Sequence, residues 1–348
     1  MSKIKKYIKE YDLLKKKPDI YLIANAQDYT SKISPYNINH ANNSEFFSAE
    51  ELGEIAASLF DIGCYTSIFY TESEFIDYIQ RNIFRLDIEN LLVINLARDG
   101  VKEGKKGLIP AFCDLFNLMY SGSNSFVVSL CRNKFIWSSV LRSYNINVPD
   151  FCKIKNSKKI GELDIDGKKK IIIKDICESA SIDLDFKSIV DNTKENTLLK
   201  RIKGDKLVQE YISGIEVEVP FYKFNTDIVV GEPINILFNS DAKILTSAIS
   251  NSYDYEFSTI DDEKLKDVLI LTTQKVVELL EITGYGRVDY RIDDNNICYV
   301  FDIATMPYII HHSSFAHWFE TVNLKYTDIY KALIMSTLYK YSNNIKKI

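Results

Sequence analysis

RVDYRIDDNNICYVFDIATMP, residues 287–307, is the stretch whose reading decides the fold. Two runs of alternating apolar and polar residues flank Asp293, Asp294, Asn295 and Asn296, a polar tetrad that reads as a hairpin loop. With that loop length the strands pair with Asp302 opposite Arg287 and Val300 opposite Asp289. Side chains alternate with period two, so Arg287, Asp289, Arg291 and Asp302 share one face. The other face, Val288, Tyr290, Ile292, Ile297, Tyr299, Phe301 and Ile303, is apolar and fit for a core. Two carboxylates held close on rigid strands repel unless a cation lies between them, and Mg2+ takes carboxylate oxygens together with phosphate oxygens. The plainer alternative pairs Arg287 and Arg291 with the two aspartates on a solvated face. The hairpin alone does not choose.

Working outward, DIYLIAN (19–25), YTSIFYT (65–71) and NLLVINL (90–96) read as strands, and Ser48 starts a helix through about Leu59. Strand–helix alternation of this kind marks a parallel sheet with crossover helices. Residues 1–18 are Lys-rich and stop at Pro18, which reads as a basic surface helix with a thin apolar face. GLIPAFCDLFNLMY (107–120) reads as helical, and a further helix starts in SGSNSFVV (121–128), carries Lys134 and ends near NINVPD (145–150). IIIKDI, LVQEYI, VEVPFYKF and PINILF follow as strands. Asp261 and Asp262 then open a helix whose apolar residues recur at helical spacing up to Gly284. The expected architecture is an open α/β domain followed by two mixed α+β lobes.

The 348 residues are 46% hydrophobic and 26% charged, an ordinary globular balance. Forty-three basic against 48 acidic residues give a net charge of -5, which argues against general nucleic-acid binding. The six cysteines stand far apart with no CxxC, which excludes the familiar zinc spacings and a small disulfide scaffold. No apolar run approaches the roughly 18 residues of a membrane span, and the lysine-rich start lacks a signal-peptide pattern. A cytoplasmic protein without a membrane span is expected.

Six segments in order resemble the D-alanine–D-alanine ligase family of ATP-grasp enzymes. They are NLARDG…EGKKGLIPAFCDLFNLMYSGSNSFVVSLCRNKF, IIIKDI, LVQEYISGIEVEV, YDYE at Tyr253–Glu256, the 287–307 hairpin, and HHS at 311–313. The resemblance implies an ATP-grasp fold of three lobes: an N-terminal pre-ATP-grasp domain at 19–124 behind the extension 1–18, a central lobe at 125–213, and a C-terminal lobe at 214–348. It also implies a ligase that uses ATP and Mg2+, with Mn2+ as the alternative metal, to join a small carboxylate to an amine through an acyl phosphate, acting as a homodimer. Lys134 and Lys174 would meet the ATP phosphates, a role suited to a compact ammonium. Gln209 would face the adenine amino group through its amide oxygen. The backbone of Glu210 and Ile212 would read the base edge, and Glu216 would bind the ribose. Asp289 and Asp302 would hold metal. Arg287 would neutralise the reacting carboxylate, and Ser179 or Ser181 would donate to the γ-phosphate. Glu45, Tyr308 and Ser313 fall to the substrates, with Glu45 on an amino group and Ser313 on a carboxylate.

The sequence also departs from the family pattern. Asp302-Ile303-Ala304 stands where Glu-x-Asn is usual, so Ala304 removes an oxygen ligand. Residues 175–181 carry no glycine where a phosphate loop is usual, and Tyr308 replaces a glycine. YDYE runs almost directly into the next helix, making any flap at Tyr253–Glu256 short. These changes cluster around the substrates and point away from D-alanine itself. They also motivate the alternative of an ATP-grasp protein that binds nucleotide without turnover.

Overall fold

The computed structural model describes residues 3–27, 29, 45–100, 102–168, 170–177, 188–191, 193–239 and 244–345. The N-terminal part runs α1 (Ile4–Asp12), β1 (Asp19–Ala24), α2 (Ala49–Asp61), β2 (Thr66–Phe69), α3 (Glu72–Asn82), β3 (Leu91–Leu96), α4 (Leu108–Leu115) and β4 (Met119–Tyr120). Its strands form a parallel sheet in the order β2-β1-β3-β4, as the alternation predicts. Ser48 caps α2 through a reciprocal box: the Glu51 N–H donates to the Ser48 hydroxyl, and the Ser48 N–H donates to the Glu51 carboxylate. The stretch 107–120 is not one helix. Asn117 adopts φ +53°, which ends the helical run and lets Met119 and Tyr120 enter the sheet. Nor is α1 merely a surface helix. Ile4, Tyr7, Ile8 and Tyr11 are buried, and the Tyr7 ring stacks on Phe224 at 3.5 Å.

The central part holds α5 (Ser125–Arg132), α6 (Lys134–Ser143), β5 (Phe151–Lys155), β6 (Lys158–Ile160), β7 (Lys170–Asp175), β8 (Ile189–Asp191), α7 (Glu195–Arg201) and β9 (Lys206–Glu210). Its strands pair antiparallel in the order β6-β5-β9-β7-β8. The single helix expected around Lys134 is split at Asn133, whose side chain accepts from the Ile136 N–H and starts α6. That break puts Lys134 in the first turn of a new helix.

The C-terminal part comprises β10 (Ile215–Phe224), β11 (Asp227–Val230), β12 (Ile234–Phe238), α8 (Ser247–Ser252), β13 (Tyr255–Thr259), α9 (Glu263–Leu279), β14 (Gly284–Ile292), β15 (Cys298–Ala304), α10 (Ser314–Thr321) and α11 (Asp328–Ile345). The antiparallel sheet runs β13-β12-β10-β14-β15, with β11 also on β10. Period two divides β10 and β14 cleanly. Val217, Val219, Phe221, Val288, Tyr290 and Ile292 fill one core with Trp137, Leu269 and Val276. On the opposite face, Tyr222, Phe224 and Tyr285 pack with Phe315, Trp318 and Tyr330, in a core shared with β1, β3 and α1. The same face farther along carries Glu216, Glu218, Arg287, Asp289 and Arg291. One sheet face is thus apolar where it meets the N-terminal part and charged beyond it.

The hairpin forms, but in a different register. A bulge between Asp289 and Tyr290 pairs Asp289 with Asp302, Arg287 with Ala304 and Tyr290 with Val300. The extra residue shifts the alternation, so Val300 joins the core while Phe301 turns to the charged face. Among the described residues no helix is long and apolar enough to cross a membrane.

Candidate active site

The charged face of β10, β14 and β15 is the floor of a cleft. Glu216 lies opposite Arg291, Glu218 opposite Asp289, and Asp289 opposite Asp302. Arg287 donates to both oxygens of Asp289, at 2.7 and 2.9 Å, and makes an ion pair with Glu218 at 2.9 Å. Arg291 donates to the Gly214 carbonyl at 3.0 Å and stands 3.7 Å from the Glu216 carboxylate. From α6, Lys134 reaches Asp302 at 3.4 Å. From β7, Lys174 lies over the Phe301 ring at 5.0 Å and has no ion-pair partner among the described residues. The cleft thus joins Lys134, Lys174, Arg287, Asp289, Asp302 and Glu216, which the sequence scatters over 169 positions.

Burial and neighbours set the charges. Burial, joined by the nearby Lys134 charge, lowers the Lys174 ammonium to about 8. Burial also pushes the Asp289 carboxyl up, to about 8, with Glu218 and Asp302 adding to the shift and Arg287 opposing it. Asp302 is buried as well, yet Lys134 and Lys174 outweigh that cost and hold it below its ordinary value. Burial raises Glu216, with Glu218 alongside, against the pull of Arg291. Asp289 and Asp302 face one another, and the added cost of charging Asp289 is relieved by a cation between them. Two carboxylates plus phosphate oxygens are a donor set that Mg2+ accepts, so the residues present fit one such ion. Ala304, opposite Arg287, offers no side-chain oxygen for a second.

Beside this floor, Gln209 is 1% exposed in a narrow slot with Ile172, Lys174, Ile212, Glu216 and Phe301. Neither atom of its amide has a hydrogen-bond partner among the described residues. A buried, unsatisfied amide is costly and rare in folded proteins, and a ligand with a polar edge would satisfy it. Glu210 ends β9 with its carboxylate paired to Lys168 at 2.8 Å and its N–H donating to the Asp150 carbonyl at 2.7 Å. Ser179 and Ser181 lie outside the described residues.

The other end of the cleft opens into a cavity of about 640 Å³ whose wall includes Glu45, Arg98, Lys106, Arg287, Tyr308 and Ser313. Glu45, expected to meet an amino group, is engaged within the protein. It is fully buried, one oxygen is taken by Lys105 and the other by Lys106 at 2.7 Å. Burial alone would raise it, but Lys106, Lys105 and Arg98 hold it far below the usual carboxylate range. Tyr308 donates its hydroxyl to the Glu45 carbonyl at 2.8 Å. Ser313 caps α10: it accepts from the Ala316 N–H at 3.2 Å and donates to the Ile310 carbonyl at 2.6 Å, so its proton is already engaged.

The YDYE segment is also more firmly built than a flap. Tyr255 and Glu256 belong to β13, and the Tyr253 hydroxyl donates to Glu51 on α2 at 2.5 Å. His312 lies among the rings of Tyr253, Tyr255 and Phe257, at 4.6, 4.8 and 5.1 Å. Sequence reasoning missed Arg98, Lys105, Lys106 and His312 as parts of this site. The cationic cluster in RDGVKEGKKG was the available signal.

With this geometry in place, comparisons with known proteins give a consistent result. The family model "D-ala D-ala ligase C-terminus" matches residues 142–335. D-alanine–D-alanine ligase B of Clostridium perfringens is 26% identical over 255 residues, 69% of this chain and 78% of that protein. The D-alanine–D-alanine ligase of Finegoldia magna is 23% identical over 324 residues, 89% of this chain and 88% of that one. Among solved structures, the Bacillus anthracis D-alanine–D-alanine ligase complexed with ATP superposes with a TM-score of 0.67 at 18% identity, over 94% of this chain and 99% of that one. The VanG D-Ala:D-Ser ligase of Enterococcus faecalis gives 0.64 at 14% identity, over 92% and 100%. The three-sheet architecture is therefore the ATP-grasp fold of these ligases.

Proposed function

Because the chain belongs to the D-alanine–D-alanine ligase family, we propose that it is an ATP- and Mg2+-dependent ligase joining a small carboxylate to an amine. The carrying observation is that Lys134, Lys174, the opposed Asp289 and Asp302, and the unpartnered Gln209 amide all face one cleft. In this reading Gln209 accepts from the adenine amino group, the backbone of Glu210 and Ile212 meets the base edge, and Glu216 takes the ribose hydroxyls. Lys134 and Lys174 bring positive charge to the phosphates, and Ser181 donates to the γ-phosphate. Mg2+ held by Asp289 and Asp302 would draw charge from the phosphate oxygens.

Arg287, fixed by Asp289 and Glu218, stands ready to hold negative charge on the reacting carboxylate. That carboxylate attacks the γ-phosphorus, ADP leaves, and an acyl phosphate results. The amine then attacks the acyl carbon, phosphate departs, and the amine proton passes to solvent. Most of the work is positioning anions and offsetting their repulsion. Tyr308 and Ser313 shape the substrate wall. The lobes are taken as 19–124, 125–213 and 214–348, with a homodimer as the assembly. All six cysteines are free thiols, which suits a cytoplasmic setting.

Ala304 favours a second reading, nucleotide binding without turnover. Phosphate release with ATP, Mg2+ and a panel of carboxylic acids, each with and without an amine, separates the two. The ligase reading expects release that depends on a particular carboxylate. Tight nucleotide binding with no release on any member would favour the second.

A further inference from the structure

The inner end of the substrate cavity carries charges that an ammonium group would not meet favourably. Glu45 is the carboxylate there, and Lys105 and Lys106 occupy its two oxygens. A third cation, Arg98, lines the same cavity and is 2% exposed. It follows β3 at the carboxyl end of a parallel sheet, where ligand crevices of open α/β sheets lie.

Arg98 is held in place without being neutralised. The Tyr308 ring lies against its guanidinium at 4.0 Å and the Phe47 ring at 5.0 Å. One nitrogen donates to the Met306 carbonyl at 3.2 Å, Nε has no acceptor, and no ion pair reaches it among the described residues. Its backbone N–H and that of Asp99 donate to the Asn25 amide oxygen, whose own NH2 is fixed by Glu72 at 2.9 Å. A buried guanidinium with no carboxylate is costly, and its planar fork matches a carboxylate edge-on. Of the other acidic groups of the wall, Glu50, Glu51 and Glu54 on α2 are partly or fully exposed, and Glu216, Glu218, Asp289 and Asp302 on the floor are paired with Arg291, Arg287 and Lys134.

We propose that the acyl donor is a small dicarboxylate, one carboxylate reacting beside Arg287 and the second seated on Arg98, which thereby determines donor specificity. This inference rests on the ligase reading of the cleft.

The test is calorimetry on the full chain with a non-hydrolysable ATP analogue and Mg2+ at saturation. Malonate, succinate and glutarate are titrated against propionate, butyrate and both enantiomers of alanine. At least one dicarboxylate is expected to bind about tenfold or more tightly than every monocarboxylate and amino acid. Arg98→Gln is expected to abolish that preference while keeping the affinity for the ATP analogue. Alanine or a monocarboxylate binding as tightly as the best dicarboxylate overturns the proposal, as does a preference that survives Arg98→Gln. Should that variant not fold, the wild-type comparison decides by itself. If the ATP analogue binds and no dicarboxylate does, this inference alone falls. If the analogue does not bind, the ligase reading falls and takes the inference with it.

Discussion

At the nucleotide end of the cleft two buried polar groups, Gln209 and Lys174, lack a hydrogen-bond or ion-pair partner among the described residues; at the substrate end, the groups that were expected to meet substrate are paired within the protein. Gln209 and Lys174 illustrate the first condition, one with both amide atoms unsatisfied and the other with its ammonium depressed by burial. Glu45 with Lys105 and Lys106, and Ser313 with the α10 backbone, illustrate the second. An unpartnered buried group lowers its cost by binding a ligand, so it predicts what the ligand carries. At the substrate end Arg98 joins a buried positive charge to an Nε that has no acceptor among the described residues, and for that reason it is the group that points to a charged substrate.

The largest expected effect that could break this comparison is on stability. Glu45→Gln leaves two buried ammonium groups without their carboxylate, a loss of about 3–5 kcal/mol for a broken buried pair. Denaturant unfolding should report that loss, while affinity for an ATP analogue changes less than about twofold. Comparable damage to both would mean the two ends are one unit. Next, Lys174→Met should weaken ATP-analogue binding about tenfold to a hundredfold, from a lost charge-assisted contact of about 1.5–3 kcal/mol. Its unfolding free energy should not fall, since the variant removes a buried charge that lacks a partner.

A smaller effect sharpens the comparison through pH. Burial holds Lys174 near 8 in the free protein, and phosphate binding should raise it again. The charged form is the one that binds, so affinity should decline as pH rises through about 8. Binding measured near that pH should take up protons, as calorimetry in buffers of different ionisation enthalpy detects. Wild type should show uptake, and Lys174→Met should show much less. The smallest effect belongs to Tyr253→Phe, which removes one hydrogen bond to Glu51. Thermal unfolding should shift by no more than about 1 kcal/mol in stability, and proteolysis near residue 253 should quicken in the absence of ligand.

Much of the fold was legible because it rests on local patterns. The parallel sheet followed from apolar runs at β1 and β3, and the charged hairpin from its loop and alternation. The register was not legible. A bulge is a tertiary accommodation, and one extra residue sufficed to send Val300 to the core and Phe301 to the cleft. The helix break at Asn133 was missed because the apolar periodicity continues across it, although its capping side chain was visible in the sequence. α1 was read as a surface helix because Lys dominates its composition, yet four residues at helical spacing suffice to dock it. In the site, Lys134, Arg287, Asp289 and Asp302 lie close together, whereas Lys105 and Lys106 reach Glu45 across about 60 positions, a pairing that no spacing rule reveals.

The central claim is that Asp289 and Asp302 make this cleft a metal–nucleotide site rather than a salt-bridged surface. Titrating an ATP analogue into wild type and Asp302→Asn, with and without Mg2+, tests it most directly. The account predicts that Mg2+ strengthens binding by about tenfold or more in wild type and has little effect in Asp302→Asn, with the fold of both intact. Identical Mg2+ dependence in the two proteins would contradict it and return Arg287, Asp289 and Arg291 to a purely structural role.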